Sequence, residues 1–385
     1  MEKKKKVLFI AKNIPIPNRQ SGNAIIYTIA EKLRPFYDIR FFFPKSRVPW
    51  GLHFFKKYRP LYHLQDWNYH QLKVKVIPFT QWPGLLATYW SFRRSSKRAK
   101  SLFKDGAYEL IHAHYGMPDG YLAYLLSKKF KVPYVLTIRN HDVLHLNQLK
   151  AWNPDYKKYH LVLENASQVL VSNANLQAYL LTLGVESTLM PHGIEAGKLI
   201  GEKSLCKDDI IRINCVANYI PSKNIEWVID AVKSYSGERP IALQVIGDTA
   251  TMPEAYQQLS DSRIKILGKM NNDKVLEELA YGAIFALPSQ FETFGLVYLE
   301  AAATRNAIVG YKGQGVWGVF EDGVEMLYPG SYDEFKSQLY RLIEDDDLRQ
   351  TLAAKAYAKA QTLTWEKVSA RYQEVYSKAI AKESS

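Results

Sequence analysis

Glu292 and Glu300 stand with seven residues between them, Thr293-Phe294-Gly295-Leu296 directly after the first. An apolar run over 283–287 precedes the pair and a helical pattern over 296–304 contains its second member, so the two carboxylates straddle a strand-to-helix turn. Gly295 lets the backbone approach a ligand closely. The first amides of the following helix have no intrahelical acceptor and would face an anion such as a diphosphate. Glu292 then lies in the loop beside a sugar, and Glu300 lies in the helix, where a carboxylate accepts hydrogen bonds from a ribose diol. Taken alone, the spacing is explained more simply by two glutamates on an ordinary amphipathic helix.

Other residues of chemical interest carry weaker signals. His112 and His114 look like a metal pair, but they end one strand with no cysteine or third ligand at a recognisable spacing, which argues against zinc. Asp345-Asp346-Asp347 joins two helical patterns and most simply caps the second, from Leu348 onward. Neither a metal nor a cofactor is expected. Cys206 and Cys215 offer no disulfide framework and read as unpaired thiols in a reducing compartment.

The elements that must position these groups alternate short apolar runs with longer helical patterns, which predicts parallel sheets with crossover helices. Strands are expected at 7–11, 39–43, 73–77, 110–113, 134–138, 168–171 and 188–190, then at 212–216, 242–246, 264–267, 283–287 and 307–310. Helices fill the intervals, among them 24–33, 120–131, 173–183, 225–234, 273–281 and 296–304. The pattern starts, runs and starts again, so the expected fold class is α/β with two Rossmann-like domains. At 385 residues, two domains are also the natural division of the chain. A polar stretch around 201–209 reads as the linker, giving domains at 1–204 and 205–364. Residues 44–92, crowded with Trp, Tyr, Phe, His and Pro, read as a long irregular insertion on the first domain. Lys3-Lys4-Lys5-Lys6 followed by the apolar run 7–11 is too short for a secretion signal or a membrane span and fits a buried strand.

The net charge of +13 is unevenly spread: residues 1–200 hold 30 Lys and Arg against 12 Asp and Glu. Basic clusters such as Lys56-Lys57-Tyr58-Arg59 and Arg93-Arg94-Ser95-Ser96-Lys97-Arg98 suit an anionic surface, or a solvated helix face. Trp67, Trp82, Tyr89, Trp90 and Phe92 would seat at a membrane interface, stack on sugar rings or simply pack the insertion. No recognised nucleic-acid module accompanies the charge, so no nucleic-acid partner is expected.

The run from Leu287 through Glu292 and Glu300 to Ala301 closely resembles the E-x7-E signature of the retaining family 4 glycosyltransferases, which have the GT-B fold. Further matches follow in the family's order. Ile111-His112-Ala113-His114 is similar to its H-x-H element, and Met190-Pro191-His192-Gly193-Ile194-Glu195 to its hinge. Asn218-Tyr219-Ile220-Pro221-Ser222-Lys223-Asn224 is similar to its R-x-x-x-x-K-G loop, and Val245-Ile246-Gly247-Asp248 to its nucleotide-side strand. The resemblance implies two domains facing a central crevice, with a helix over 365–385 returning to the first. It puts Glu292 beside the donor-sugar hydroxyls, Glu300 on the ribose, Lys223 on the diphosphate, and Gly22 at the glycine-rich turn of the first domain. Asn218, Thr293, Phe294, Gly295 and Leu296 complete the donor-binding set. Under this reading Gly313-Gln314-Gly315-Val316-Trp317-Gly318, which matches G-x-G-x-x-G late in the second domain, becomes a loop touching phosphate or sugar.

This chain departs from the family pattern at four places. Asn218 stands where an arginine is usual, Arg139 stands where T-x-H-G-S-D has its histidine while His141 follows two residues later, Arg305 and Ala307 replace Gly and Pro, and Ser21 replaces a glycine. Arg139 is therefore a candidate for the charge missing at Asn218, and His141 for a donor to a sugar hydroxyl. The implied activity is transfer of a hexosyl unit, with retention, from a nucleotide sugar, UDP- rather than GDP-linked, to a saccharide or lipid-linked acceptor in cell-surface polysaccharide or glycolipid biosynthesis. Alternatives are a nucleotide-sugar epimerase or phosphorylase on the same scaffold, or a non-enzymatic binder of anionic surfaces or nucleic acid. A cytoplasmic protein, peripheral on the inner face of the plasma membrane, fits this expectation.

Overall fold

A computed structural model describes residues 4–47, 63–80, 97–104, 106–149, 153–201, 209–257 and 259–384. Much of the expected insertion, including Trp82, Tyr89, Trp90 and Phe92, lies outside the described residues, as do Cys206 and most of the expected linker. The chain forms two compact units: Met1–Val171 with Leu176–Leu189 and Ser369–Ser385, and Ser172–Asn175 with Met190–Val368. The division thus falls after Leu189, ahead of the expected boundary at 204. The C-terminal helix Trp365–Ser384 groups with the first unit from Ser369 on.

The first unit is built on eight strands, β1 Lys5–Ile10, β2 Tyr37–Arg47, β3 Trp67–Tyr69, β4 Leu72–Thr80, β5 Leu110–Ala113, β6 Tyr134–Ile138, β7 Gln168–Val171 and β8 Thr188–Leu189. Their order is β3-β4-β2-β1-β5-β6-β7-β8, all parallel except β3, which runs antiparallel to β4. β3 was not expected, and it makes part of the insertion regular. Val7, Leu8, Phe9 and Ile10 are wholly buried, as a central parallel strand covered on both faces requires. Because β1 pairs with β2 on one side and β5 on the other, successive connections leave in opposite directions and open a crevice beyond the C-terminal ends of β1 and β5.

The second unit repeats the plan with β9 Ile211–Val216, β10 Ile241–Ile246, β11 Ile264–Gly268, β12 Ile284–Ala286 and β13 Ala307–Val309, all parallel in the order β11-β10-β9-β12-β13. Its switch point lies between β9 and β12. Cys215, on β9, is fully buried, and burial pushes its thiol up to about 12. Asp345 caps the helix Asp346–Gln361, its Oδ1 accepting the Leu348 amide at 2.8 Å, as its position between two helical patterns suggested.

Candidate active site

In the second unit, the loops leaving β9 and β12 are bonded to each other. After β9 the chain makes a short turn, Pro221–Lys223, closed by Asn224 in the left-handed region at φ 50°. Asn224 Nδ2 donates to the Pro288 carbonyl at 2.8 Å, and the Gln290 amide donates to the Ser222 carbonyl at 2.8 Å. This brings Lys223 Nζ to 2.5 Å from Glu292 Oε2, with the two side chains 17% and 19% exposed. Asn218, at the position where an arginine is usual, has a structural bond instead: its Oδ1 accepts the Asp248 amide at 3.0 Å and joins the loops after β9 and β10.

The Glu292 loop is held from several sides. The Glu292 amide donates to Gln314 Oε1 at 3.2 Å, and the Gly315 amide donates to the Glu292 carbonyl at 3.3 Å. The Thr293 carbonyl accepts from Ser172 Oγ at 3.0 Å and Asn173 Nδ2 at 2.6 Å. Phe294 is buried against His192, ring centroids 4.8 Å apart. Gly295 sits at φ 75°, and a Cβ there would lie 2.6 Å from the Tyr298 ring and 2.9 Å from Glu292 Cγ, so both its conformation and its contacts require glycine. It opens the helix Leu296–Ala303, whose first amides present an anion-binding end. Further along that helix, Glu300 Oε1 accepts from Asn272 Nδ2 at 2.9 Å and lies 3.7 Å from Lys198 Nζ. Lys198 also bonds Asn272 Oδ1. Oε2 of Glu300 has no hydrogen-bond partner among the described residues.

In the first unit, Gly22 at φ 147° folds its loop onto the end of β1, where a Cβ would meet the Ile14 carbonyl carbon at 2.6 Å, and the Asn23 amide donates to the Asn13 carbonyl at 2.9 Å. Arg139 follows β6 and precedes the helix Asn140–Gln148; it is buried, with its guanidinium 5.6 Å from the Tyr115 ring centroid. His141 is exposed on the first turn of that helix. Asp142 is buried and accepts from the Gly116 amide at 2.8 Å, the Arg139 amide at 3.0 Å and the Tyr159 hydroxyl at 3.2 Å. Desolvation nonetheless raises its carboxyl to about 6. His112 commits both ring nitrogens, Nδ1 with the Tyr376 hydroxyl at 2.7 Å and Nε2 with Thr137 Oγ1 at 2.8 Å, and burial lowers its pKa to about 3. It is a neutral core histidine with neither nitrogen left for a metal.

Comparison with known proteins gives the family and the fold of the chain. Residues 23–190 match the model of the glycosyl transferase 4-like domain, and residues 211–345 match that of glycosyl transferases group 1. The chain belongs to the family 4 glycosyltransferases. An uncharacterized glycosyltransferase of Methanocaldococcus jannaschii is 23% identical over 291 residues, which cover 73% of this chain and 78% of that one. Among solved structures, sucrose-phosphate synthase of Thermosynechococcus elongatus aligns with a TM-score of 0.72 at 16% identity, over 98% of this chain and 100% of the other. HepE of Anabaena in complex with UDP-glucose aligns with a TM-score of 0.64 at 19% identity, over 97% and 99%. These likenesses establish the GT-B fold.

Several residues that shape the site of this glycosyltransferase carry no local signal in the sequence. Lys198 and Asn272 reach Glu300 from distant positions in the chain, and Ser172 and Asn173 reach the Thr293 carbonyl from a segment expected in the first domain. Gln314 had an indirect signal, since it lies inside the glycine-rich run already marked as a ligand loop. The substitution at Arg305 is absorbed locally: its guanidinium lies 3.8 Å from the centroid of the Tyr357 ring and its Nε donates to the Ile200 carbonyl at 3.4 Å.

Proposed function

We propose that this glycosyltransferase moves a hexosyl unit, with retention of anomeric configuration, from a UDP-linked sugar to a saccharide or lipid-linked acceptor. The observation that carries the donor half is the second unit's arrangement of Lys223 against Glu292, an open helix N-terminus, and Glu300 with one oxygen unspent. A diphosphate suits the lysine and the helix amides, a ribose diol suits Glu300, and the sugar suits Glu292. The UDP-glucose complex of HepE, which shares the fold, favours uridine over guanosine.

The costly event is departure of the nucleoside diphosphate from the anomeric carbon. Charge grows on the leaving phosphate oxygen as the C1–O bond breaks, and Lys223 with the amides before Val297 stabilise it through dipoles and charges already in position. In a same-face reaction the acceptor oxygen attacks C1 and its proton passes to the departing phosphate oxygen, so that Glu292 orients the sugar without bonding to it. His141, exposed in the first unit, is assigned as a donor to a sugar hydroxyl. The acceptor belongs to the first unit and, given its basic charge, to a saccharide presented at an anionic membrane. Among the described residues no helix is long and apolar enough to cross a membrane.

The test is a product assay with UDP- and GDP-sugars and a lipid-extract acceptor, the new linkage read by NMR. The expected result is UDP-dependent transfer with retained configuration, lowered about 100-fold or more in Lys223→Ala. Inverted product, or full activity in that variant, would refute it.

A further inference from the structure

The first unit holds a buried charge without a hydrogen-bonded counter-ion. Arg139 is 2% exposed, and its Nε and Nη2 are buried with no hydrogen-bond partner. Asp142 has both oxygens engaged, on the amides of Gly116 and Arg139 and the Tyr159 hydroxyl. Asp119, close enough to act on Arg139 electrostatically, accepts the Lys12 amide on Oδ2 at 3.1 Å, while its Oδ1 is buried without a partner. Neither carboxylate forms an ion pair with the guanidinium, and His112, held neutral, forms no bond to it.

A guanidinium cannot shed its proton, so burial cannot neutralise it as it would a lysine. An uncompensated buried charge is strongly unfavourable unless something else pairs with it. The two unsatisfied donors also have a shape: Nε and Nη2 send parallel hydrogens from one edge of the guanidinium, a fork that fits two oxygens of a single carboxylate or phosphate. Within electrostatic reach of it, the unpartnered Oδ1 of Asp119 can pair with a hydroxyl. The donor's own phosphates already have cationic and amide partners in the second unit.

We infer that Arg139 is the anchor of an oxyanion site in the first unit, and that its occupant is an acceptor carrying a carboxylate or phosphate next to a hydroxyl, as in a uronic acid or a polyol phosphate. This rests on the glycosyltransferase reading above, whose donor site provides the internal control.

Calorimetric titration of the full chain with glucuronate and glycerol 1-phosphate, with glucose and glycerol as neutral counterparts and UDP as a separate ligand, tests it. The wild type is expected to bind at least one anionic probe and neither neutral one, and whichever binds assigns carboxylate or phosphate. Arg139→Gln is expected to lose that binding at least tenfold, and Arg139→Lys, which keeps the charge and lacks the fork, to fall between, both with wild-type UDP affinity as proof of folding. The inference is overturned if no anionic probe binds, if Arg139→Gln binds as the wild type does, or if that variant loses UDP to the same degree, which would make the donor diphosphate the occupant. Binding of an anionic probe with no binding of UDP would support the oxyanion site and defeat the donor reading instead.

Discussion

Asp142 shows how burial and hydrogen bonding compete at one side chain. Two amides and a hydroxyl favour its carboxylate, yet desolvation wins and the group protonates near 6 instead of its ordinary 3.8. A group whose folded pKa is raised binds its proton more tightly in the native state. The associated stability is therefore complete below about 3.8 and lost as pH rises through about 6. In Asp142→Asn that titration is gone, so the stability of the wild type relative to the variant should decline by on the order of 3 kcal/mol between pH 4 and pH 7. Urea unfolding of both proteins across that range measures it, and a constant difference would contradict the assignment. At the same scale, the strand-to-helix turn that carries Glu292, Gly295 and Glu300 was legible, because the apolar run before it and the helical pattern after it are local features of the sequence. The bond of Asn218 to Asp248 was not, since nothing local distinguishes a missing cation from an asparagine that joins two loops.

At the scale of elements, the central parallel strands were legible almost residue for residue, because a strand buried on both faces must be continuously apolar. β5, β6 and β7 coincide with the expected runs at 110–113, 134–138 and 168–171. β3 escaped notice for the converse reason: Trp67-Asn68-Tyr69 is a short, half-exposed edge strand, defined by its antiparallel register with β4 and not by hydrophobicity. The C-terminal helix was expected to return to the first domain. What sequence could not supply is the partner that anchors it there, since Tyr376 meets His112 across 264 positions of chain. The same long range hid Lys198 and Asn272 behind Glu300, so the parts of the site that orient its carboxylates were invisible although the carboxylates themselves were not.

At the scale of the molecule, two parallel-sheet units share the same switch-point design: the second holds Lys223 against Glu292, the first a buried arginine whose Nε and Nη2 have no hydrogen-bond partner. The charge follows the same division, with 30 of the 51 Lys and Arg in residues 1–200 against 12 of the 38 Asp and Glu. If the first unit meets its acceptor at an anionic bilayer, flotation with phosphatidylglycerol vesicles should carry the protein at low salt and release it near 1 M, where the Debye length shrinks to about 3 Å. Equal flotation with neutral phosphatidylcholine vesicles would contradict an electrostatic attachment.

The central claim is that the second unit holds a nucleotide sugar by Glu300 and Lys223. Titration of UDP into the wild type and into Glu300→Ala examines it most directly, because it needs no acceptor. The expected result is saturable binding by the wild type and a loss of about 10- to 100-fold in the variant, the value of one or two hydrogen bonds to a carboxylate. Equal affinity in the two proteins would contradict it.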